Sequence, residues 1–208
     1  MFILFTANEY NSEIEGDESM KFLKKFQYNS PIILTFALIS LVSLLLGYIT
    51  HNRSTQLIFC VYPSSLLNPL TYIRAFTHVL GHADLSHYAS NMMMLLLLGP
   101  ILEEKYGSKL MVGMIVITAL VTGIINNIFF STALLGASGI VFMMIILASM
   151  ASAQQGRIPL TFIVILIIYL GQEVVAGFSI KDNVSQLTHI IGGLCGAVFG
   201  RLYIRKGK

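Results

Sequence analysis

Long apolar segments alternate with short polar ones along the chain, and the apolar segments have the length of membrane spans. A helix needs about 20 residues at 1.5 Å each to cross roughly 30 Å of hydrocarbon. Six segments reach or approach this length: Pro31 to about Thr50, about Leu85 to Leu102, Lys109 to Phe129, Ser138 to about Gln154, Ile158 to Phe178, and about Ser185 to Ile204. The pattern predicts an all-α polytopic membrane protein, a bundle of six transmembrane helices.

The composition favours the same class of protein. Of the 208 residues, 55% are hydrophobic and 11% are charged, whereas about a quarter of a soluble domain is normally charged. The net charge is +3, and the basic residues form no stripe or run, which argues against a nucleic-acid partner. Cys60 and Cys195 have neither the number nor the spacing of a disulfide framework or a zinc site, so we expect both to serve in packing.

Basic residues predict the orientation of the spans. An even number of spans places both termini on one side, and 10 of the 13 lysines and arginines fall on that side. Because positive charge accumulates on the cytoplasmic side, both termini are predicted to be cytoplasmic. Residues 1–30 are then a polar cytosolic extension without the pattern of a signal peptide. Residues 31–204 form the membrane domain, and residues 205–208 form a basic tail.

The connection between the first two spans, from Asn52 to about Asp84, is too long for a simple turn. It carries many aromatic and aliphatic side chains among its polar residues. A segment of this composition is expected to be partly membrane-associated, with protein rather than lipid satisfying its backbone.

Polar side chains inside or beside a span are costly and call for an explanation. The largest group consists of His78, His82, His87 and Asn91, and the last two share one face of a helix because they are four residues apart. The group is compatible with three roles: donors that converge on a substrate, structural hydrogen bonds, or a metal site. No HExxH pair is present, and we predict no metal.

Two further features lie in the fourth and sixth spans. Gly136-Ala137-Ser138-Gly139 opens the fourth span, where glycines leave a hydroxyl unobstructed beside the amides of a helix N-terminus. His189 precedes glycines at every fourth position, a spacing that permits close approach to a neighbouring helix. Each feature alone also fits simple helix packing. Together they supply a nucleophile, a base and hydrogen-bond donors at one depth, which are the components of acyl transfer.

At this point the sequence resembles the rhomboid family of intramembrane serine proteases. The resemblance is carried by FTHVLGHADLSHYASN from Phe76 to Asn91, by GASG from Gly136 to Gly139, and by HIIGGLCG from His189 to Gly196. The stretch GPILEEKYGS, from Gly99 to Ser108, is similar to the family's end of the second span. The resemblance covers spans two to six and the long first loop, about 130 residues, and the order and separation of the three motifs make it specific.

The resemblance implies a role for each matching position. Ser138 stands at the nucleophile and His189 at the general base. His87, Asn91 and the backbone amide of Ser138 stand where the family stabilises the oxyanion. Gly136, Phe142 and His82 stand at supporting positions. Gly136 takes the place of the glycine that lets the fourth span begin within the protein. Phe142 stands where the family often has an aromatic ring packed on the catalytic histidine. Glu103 resembles the acidic residue that ties the second span to its neighbouring loop.

The chain also departs from the family pattern. The Trp-Arg pair common in the first loop is Ile73-Arg74 here, and Leu135 occupies a position that is often small. Glu173 lies near the outer end of the fifth span, a region similar to the family's lateral substrate gate. An acidic residue there bears on gate packing and substrate preference rather than on the Ser–His pair.

The implied function is an intramembrane serine endopeptidase that cleaves transmembrane segments near the outer membrane face by a Ser–His dyad. Its partners would be transmembrane protein substrates and the lipid bilayer of a bacterial inner membrane, with no cofactor and no nucleic acid. The alternatives are a catalytically silent relative that binds membrane clients and a small transporter. The latter would need a polar stripe through several spans instead of polar groups at one depth.

Overall fold

The computed structural model describes residues 28–152, 160, 163–164, 167–168, 171 and 183–204. The helices are α1 (Pro31–Ile49), α2 (Arg53–Ile58), α3 (Pro69–Thr77), a 3₁₀ turn (His78–Leu80), α4 (Leu85–Tyr106), α5 (Ser108–Phe129), α6 (Ser138–Ser152) and α7 (Asn183–Ile204). The described residues contain no strand, only an isolated β-bridge between Val61 and Leu134. The all-α prediction is therefore confirmed for this part of the chain.

Three of the helices, α1, α4 and α5, are long and apolar enough to cross a membrane. The apolar stretches in α6 and α7, Ser138–Ala151 and Leu187–Tyr203, are shorter. The chain is a helical membrane protein, and the count of six spans remains a prediction. Most of the predicted fifth span, Glu173, most of the N-terminal extension and the basic tail lie outside the described residues.

Helix α4 continues four residues past its predicted end at Leu102. The prediction followed the apolar residues alone, whereas the helix adds a polar turn in which Glu103 is buried. The two oxygens of this carboxylate accept hydrogen bonds from the backbone N–H groups of Ile32 and Ile33, each at 3.1 Å. The hydroxyl of Ser108 donates to it at 2.6 Å. Glu103 thus joins the end of α4 to the beginnings of α1 and α5, because helix N-termini leave N–H groups without intrahelical partners.

Helix α6 lies at the centre of the bundle. Every residue from Gly136 to Ile145 is buried, on all sides of the helix, and a helix that is apolar all round belongs in the interior. It packs against α4, α5 and α7. The N-terminus of α6, which begins at Ser138, is therefore enclosed by protein rather than by lipid.

The connection between α1 and α4 is anchored to the segment that precedes α6. Val61 and Leu134 exchange backbone hydrogen bonds of 2.9 and 2.8 Å, and the backbone N–H of Gly136 donates to the carbonyl oxygen of His78 at 3.0 Å. The amide of Asn127 on α5 also bonds the backbone of Ser64 in both directions. These bonds satisfy the backbone of an irregular segment and fix the approach of the chain to Ser138.

Replacing Glu103 by Ala is expected to lower the free energy of unfolding by about 2–4 kcal/mol, since two buried N–H groups lose their acceptor. Thermal unfolding in detergent measures this loss. The matched control is Glu104→Ala, because Glu104 is the exposed neighbour on the same turn. Equal stability of the two variants would contradict the role assigned to Glu103.

Candidate active site

Helices α6 and α7 approach each other along the glycines of α7. A methyl group at Gly192 would overlap the carbonyl oxygen of Gly139, and one at Gly196 would overlap that of Met143. At Gly200 a methyl group would lie 2.6 Å from the sulfur of Met150. Three consecutive glycines of the four-residue repeat therefore face α6, as small residues do where two helix backbones touch.

This seam brings the ring of His189 onto α6. The imidazole stacks on the phenyl ring of Phe142, with centroids 4.3 Å apart and planes 14° from parallel. Ser138 precedes Phe142 by one helical turn, and residues four apart lie on the same face of a helix. Both Ser138 and His189 are buried, with exposed fractions of 9% and 6%. The hydroxyl that opens α6 and the imidazole of α7 thus belong to one interface at one end of the two helices.

The imidazole of His87 contacts the segment that leads into Ser138. Gly136 has φ +120°, and a methyl group there would lie 2.7 Å from both Cε1 and Nε2 of His87. Only glycine suits this position, because its backbone conformation and the contact with the ring both exclude a side chain. The edge of the imidazole therefore rests directly on the backbone two residues before Ser138.

Asn91 lies one turn further along α4. It is fully buried, and its side-chain amide donates a hydrogen bond of 2.9 Å to the carbonyl oxygen of His87. An amide group carries two N–H hydrogens, so this bond orients the group while using one of them. Asn91 and His87 are linked to each other as well as being neighbours on one helix face.

His78 and His82 precede α4 in the chain, and the ring of His82 contacts that of His87. Burial lowers the pKa of His78 to about 4, and its Nδ1 donates to the carbonyl oxygen of Ala75 at 3.0 Å. Burial, together with the proximity of His87, lowers the pKa of His82 to about 3. The ring of His82 meets that of His87 edge-on, with centroids 5.1 Å apart. Both side chains are therefore neutral at ordinary pH.

Two residues near the site were not singled out by the sequence interpretation. Asp84 is the N-cap of α4, where its carboxylate accepts a hydrogen bond from the backbone N–H of His87. Its spacing of three residues from His87 is the available sequence signal, since N-cap side chains bond to that position. The second residue is Tyr62. The guanidinium carbon of Arg74 lies 4.3 Å from the centroid of the Tyr62 ring, and the guanidinium group also donates to the carbonyl oxygen of Leu57. Arg74 is thus buried in the first loop and holds it together.

The described residues contain no cluster of three or more side chains suited to holding a metal ion. The Nδ1 atoms of His78 and His82 form hydrogen bonds to the backbone carbonyl oxygens of Ala75 and Leu80. The contacts present are those of hydrogen bonding and ring packing.

The fold and the site define a helical membrane protein with a serine, a stacked histidine and a second histidine gathered where two helices begin. Residues 69–206 match the family model described as the Rhomboid domain, which is about two thirds of the 208-residue chain. The chain belongs to the rhomboid family. A comparison with curated proteins found no match.

Replacing Gly192 by Ala is expected to separate α6 from α7 and to lower the free energy of unfolding by about 1–3 kcal/mol, as overpacking does. Its matched control is Gly193→Ala, where the added methyl group would meet only Ile146 at the ordinary distance of 3.5 Å. Thermal unfolding of the two variants should therefore differ. Similar unfolding temperatures would mean that the seam is looser than its geometry indicates.

Proposed function

We propose that the chain is an intramembrane serine endopeptidase in which Ser138 is the nucleophile and His189 the general base. The observation that carries the proposal is the stacking of His189 on Phe142, combined with the contact between Gly139 and Gly192. Gly139 and Phe142, one and four residues after Ser138, are both in contact with α7. Ser138 is one helical turn before Phe142, on which the ring of His189 stacks, and this spacing supports His189 as the base for its hydroxyl.

The proposed reaction follows from the types of group present. His189 takes the proton from the hydroxyl of Ser138, whose oxygen attacks the carbonyl carbon of the scissile peptide bond. The tetrahedral intermediate collapses, the leaving amine takes the proton back from His189, and an acyl-enzyme remains. Water, activated by the same imidazole, then hydrolyses the ester and restores the serine.

Stabilisation of the oxyanion is assigned to His87, Asn91 and the backbone amide of Ser138. The contact between His87 and Gly136 supports this assignment, because it keeps the imidazole close to the segment that carries the nucleophile. The position of Ser138 at the start of α6 supports it too, since the first amides of a helix favour negative charge. Neutral donors in a protein-enclosed site need no reorganisation when the charge develops.

Stacking on Phe142 gives His189 an orientation that a carboxylate provides in other serine hydrolases. The ring plane is fixed by the parallel phenyl group at 4.3 Å. The proposed active unit is therefore a dyad. Its histidine is held by packing rather than by an ion pair.

The proposed setting is a six-span protein of a bacterial inner membrane with both termini in the cytoplasm. The site then lies toward the outer face, where α4 and α6 begin. The substrate class is a transmembrane segment that unwinds near this face and approaches between α4 and the predicted fifth span. Water reaches the dyad from the outer side.

Replacing Ser138 by Ala is expected to abolish cleavage of a transmembrane substrate in liposomes and labelling by a fluorophosphonate. The matched control is Ser149→Ala on the same helix, about 16 Å further along at 1.5 Å per residue, which should keep both activities. Peptide mapping of the labelled wild-type protein should identify Ser138. Wild-type protein that folds but neither cleaves nor takes the label would instead indicate a client-binding member of the family.

Replacing Asn91 by Ala is expected to lower kcat by about 10²–10³-fold with a smaller change in KM, since one donor to the oxyanion is lost. The control is Ser90→Ala, because the Ser90 hydroxyl bonds the same carbonyl oxygen of His87 at 3.1 Å but is not a proposed donor to the oxyanion. Steady-state cleavage kinetics of the two variants measure both kcat and KM. Equal losses would assign Asn91 a purely structural role.

A further inference from the structure

The first turn of α4 contains a reciprocal pair of hydrogen bonds in which His87 takes part twice. The carboxylate of Asp84 accepts from the backbone N–H of His87 at 2.8 Å. In return, Nδ1 of the His87 ring accepts from the backbone N–H of Ala83 at 3.5 Å. The arrangement resembles a capping box, in which the side chain three residues after the N-cap accepts from the N–H of the N-cap, except that the ring here accepts from Ala83, the residue before the N-cap. Here an imidazole replaces the usual Glu or Gln.

The second bond determines where the proton of the imidazole lies. A backbone N–H can only donate, so Nδ1 is the acceptor. In a neutral imidazole one nitrogen accepts and the other carries the hydrogen, so the proton is on Nε2. Nε2 belongs to the edge of the ring that lies against Gly136. The helix cap thus turns the donating nitrogen toward the segment that carries Ser138.

Other bonds hold the same turn in place. The backbone N–H of Leu85 donates to the hydroxyl of Tyr48 at the end of α1, at 3.1 Å. The N–H of Tyr88 donates to the backbone carbonyl oxygen of Asp84, also at 3.1 Å. Asp84 itself has the extended conformation of an N-cap, with φ −156° and ψ 177°. Only Asp84, however, contributes a side chain that bonds His87 directly within this turn.

We propose that Asp84 is a positioning residue: through the helix cap it keeps the proton of His87 on Nε2 and that nitrogen facing Gly136, where the oxyanion of the proposed reaction forms. The catalytic consequence rests on the proposed function, whereas the position of the proton does not. Asp84 need not touch the substrate. It acts through the backbone and the ring of His87.

The chain offers a matched control for ordinary capping. Asn68 is the N-cap of α3, and its side chain accepts from the backbone N–H of Leu70 at 3.0 Å. Replacement of either cap by Ala removes a bond of the same kind, so the two losses of stability should be comparable. Asn68 has no reciprocal bond to an imidazole among the described residues, and α3 contributes no proposed catalytic group. Any effect of Asp84→Ala beyond that of Asn68→Ala is then an effect on His87.

The experiment compares the wild type, Asp84→Ala, Asp84→Ser and Asn68→Ala as full chains in detergent. We expect Asp84→Ala to lower kcat about 10–100-fold with little change in KM, the size of effect that follows from displacing a catalytic group by about 1 Å. Asp84→Ser should restore most of the rate because serine is an equally good N-cap. Asn68→Ala should lower the unfolding temperature without lowering kcat. If Asp84→Ala slows cleavage no more than Asn68→Ala does, the proposal is wrong.

The second readout needs no enzyme activity. With ¹⁵N-labelled histidine, long-range proton–nitrogen spectra distinguish the two neutral forms of each of the five histidines, and the His87→Ala spectrum assigns the signal of His87. We expect the proton on Nε2 in the wild type and in Asp84→Ser, and a mixture of both forms in Asp84→Ala. A wild-type signal with the proton on Nδ1 would overturn the proposal. If the wild type cleaves nothing, the proposed function fails, while these spectra still decide whether Asp84 positions the ring.

Discussion

The close contact between α6 and α7 is the constraint on which the rest of the site depends. A side chain at Gly192 or Gly196 would push the two backbones apart, and the ring of His189 would then leave the face of Phe142. In water such a seam would gain from the hydrophobic effect, but lipid is as apolar as the helix surface. Helix association in a membrane therefore relies on packing at short range. The glycines let the two helices reach that range, and the chemistry proposed for the site uses the same proximity.

The second constraint is the burial of an irregular segment beside these helices. The residues between α1 and α4 are only partly helical, and their irregular backbone contacts the segment that leads to Ser138. Their bonds to Leu134 and Gly136 satisfy this backbone, and they place the segment that precedes Ser138. The same hydrogen bonds thus stabilise the irregular segment and position the residues that precede Ser138. His78 shows this directly, because its carbonyl oxygen holds Gly136 while its ring is buried against α5.

Much of this arrangement could be predicted from the sequence, and the remainder depended on tertiary contacts. Helix starts at Pro31, Leu85 and Ser138 followed from the lengths of the apolar segments and from proline and glycine signals. The four-residue glycine repeat predicted a close helix contact, but a repeat carries no information about its partner, and only the structure identifies α6. The extension of α4 to Tyr106 was missed, since the burial of Glu103 depends on α1 and α5. Asp84 was missed because a capping box is usually recognised by Glu or Gln, and none of the roles considered for His87 involved the cap of its own helix.

The carboxylate of Glu103 has a consequence for the way the protein enters the membrane. The backbone groups that it binds, at Ile32 and Ile33, precede it by 71 and 70 residues. At a synthesis rate of about 5–20 residues per second, α1 waits several seconds on the ribosome before its acceptor emerges. During that interval these N–H groups are without the acceptor that the folded protein provides. The first turn of α1 therefore gains its side-chain acceptor only after the far end of α4 has been made.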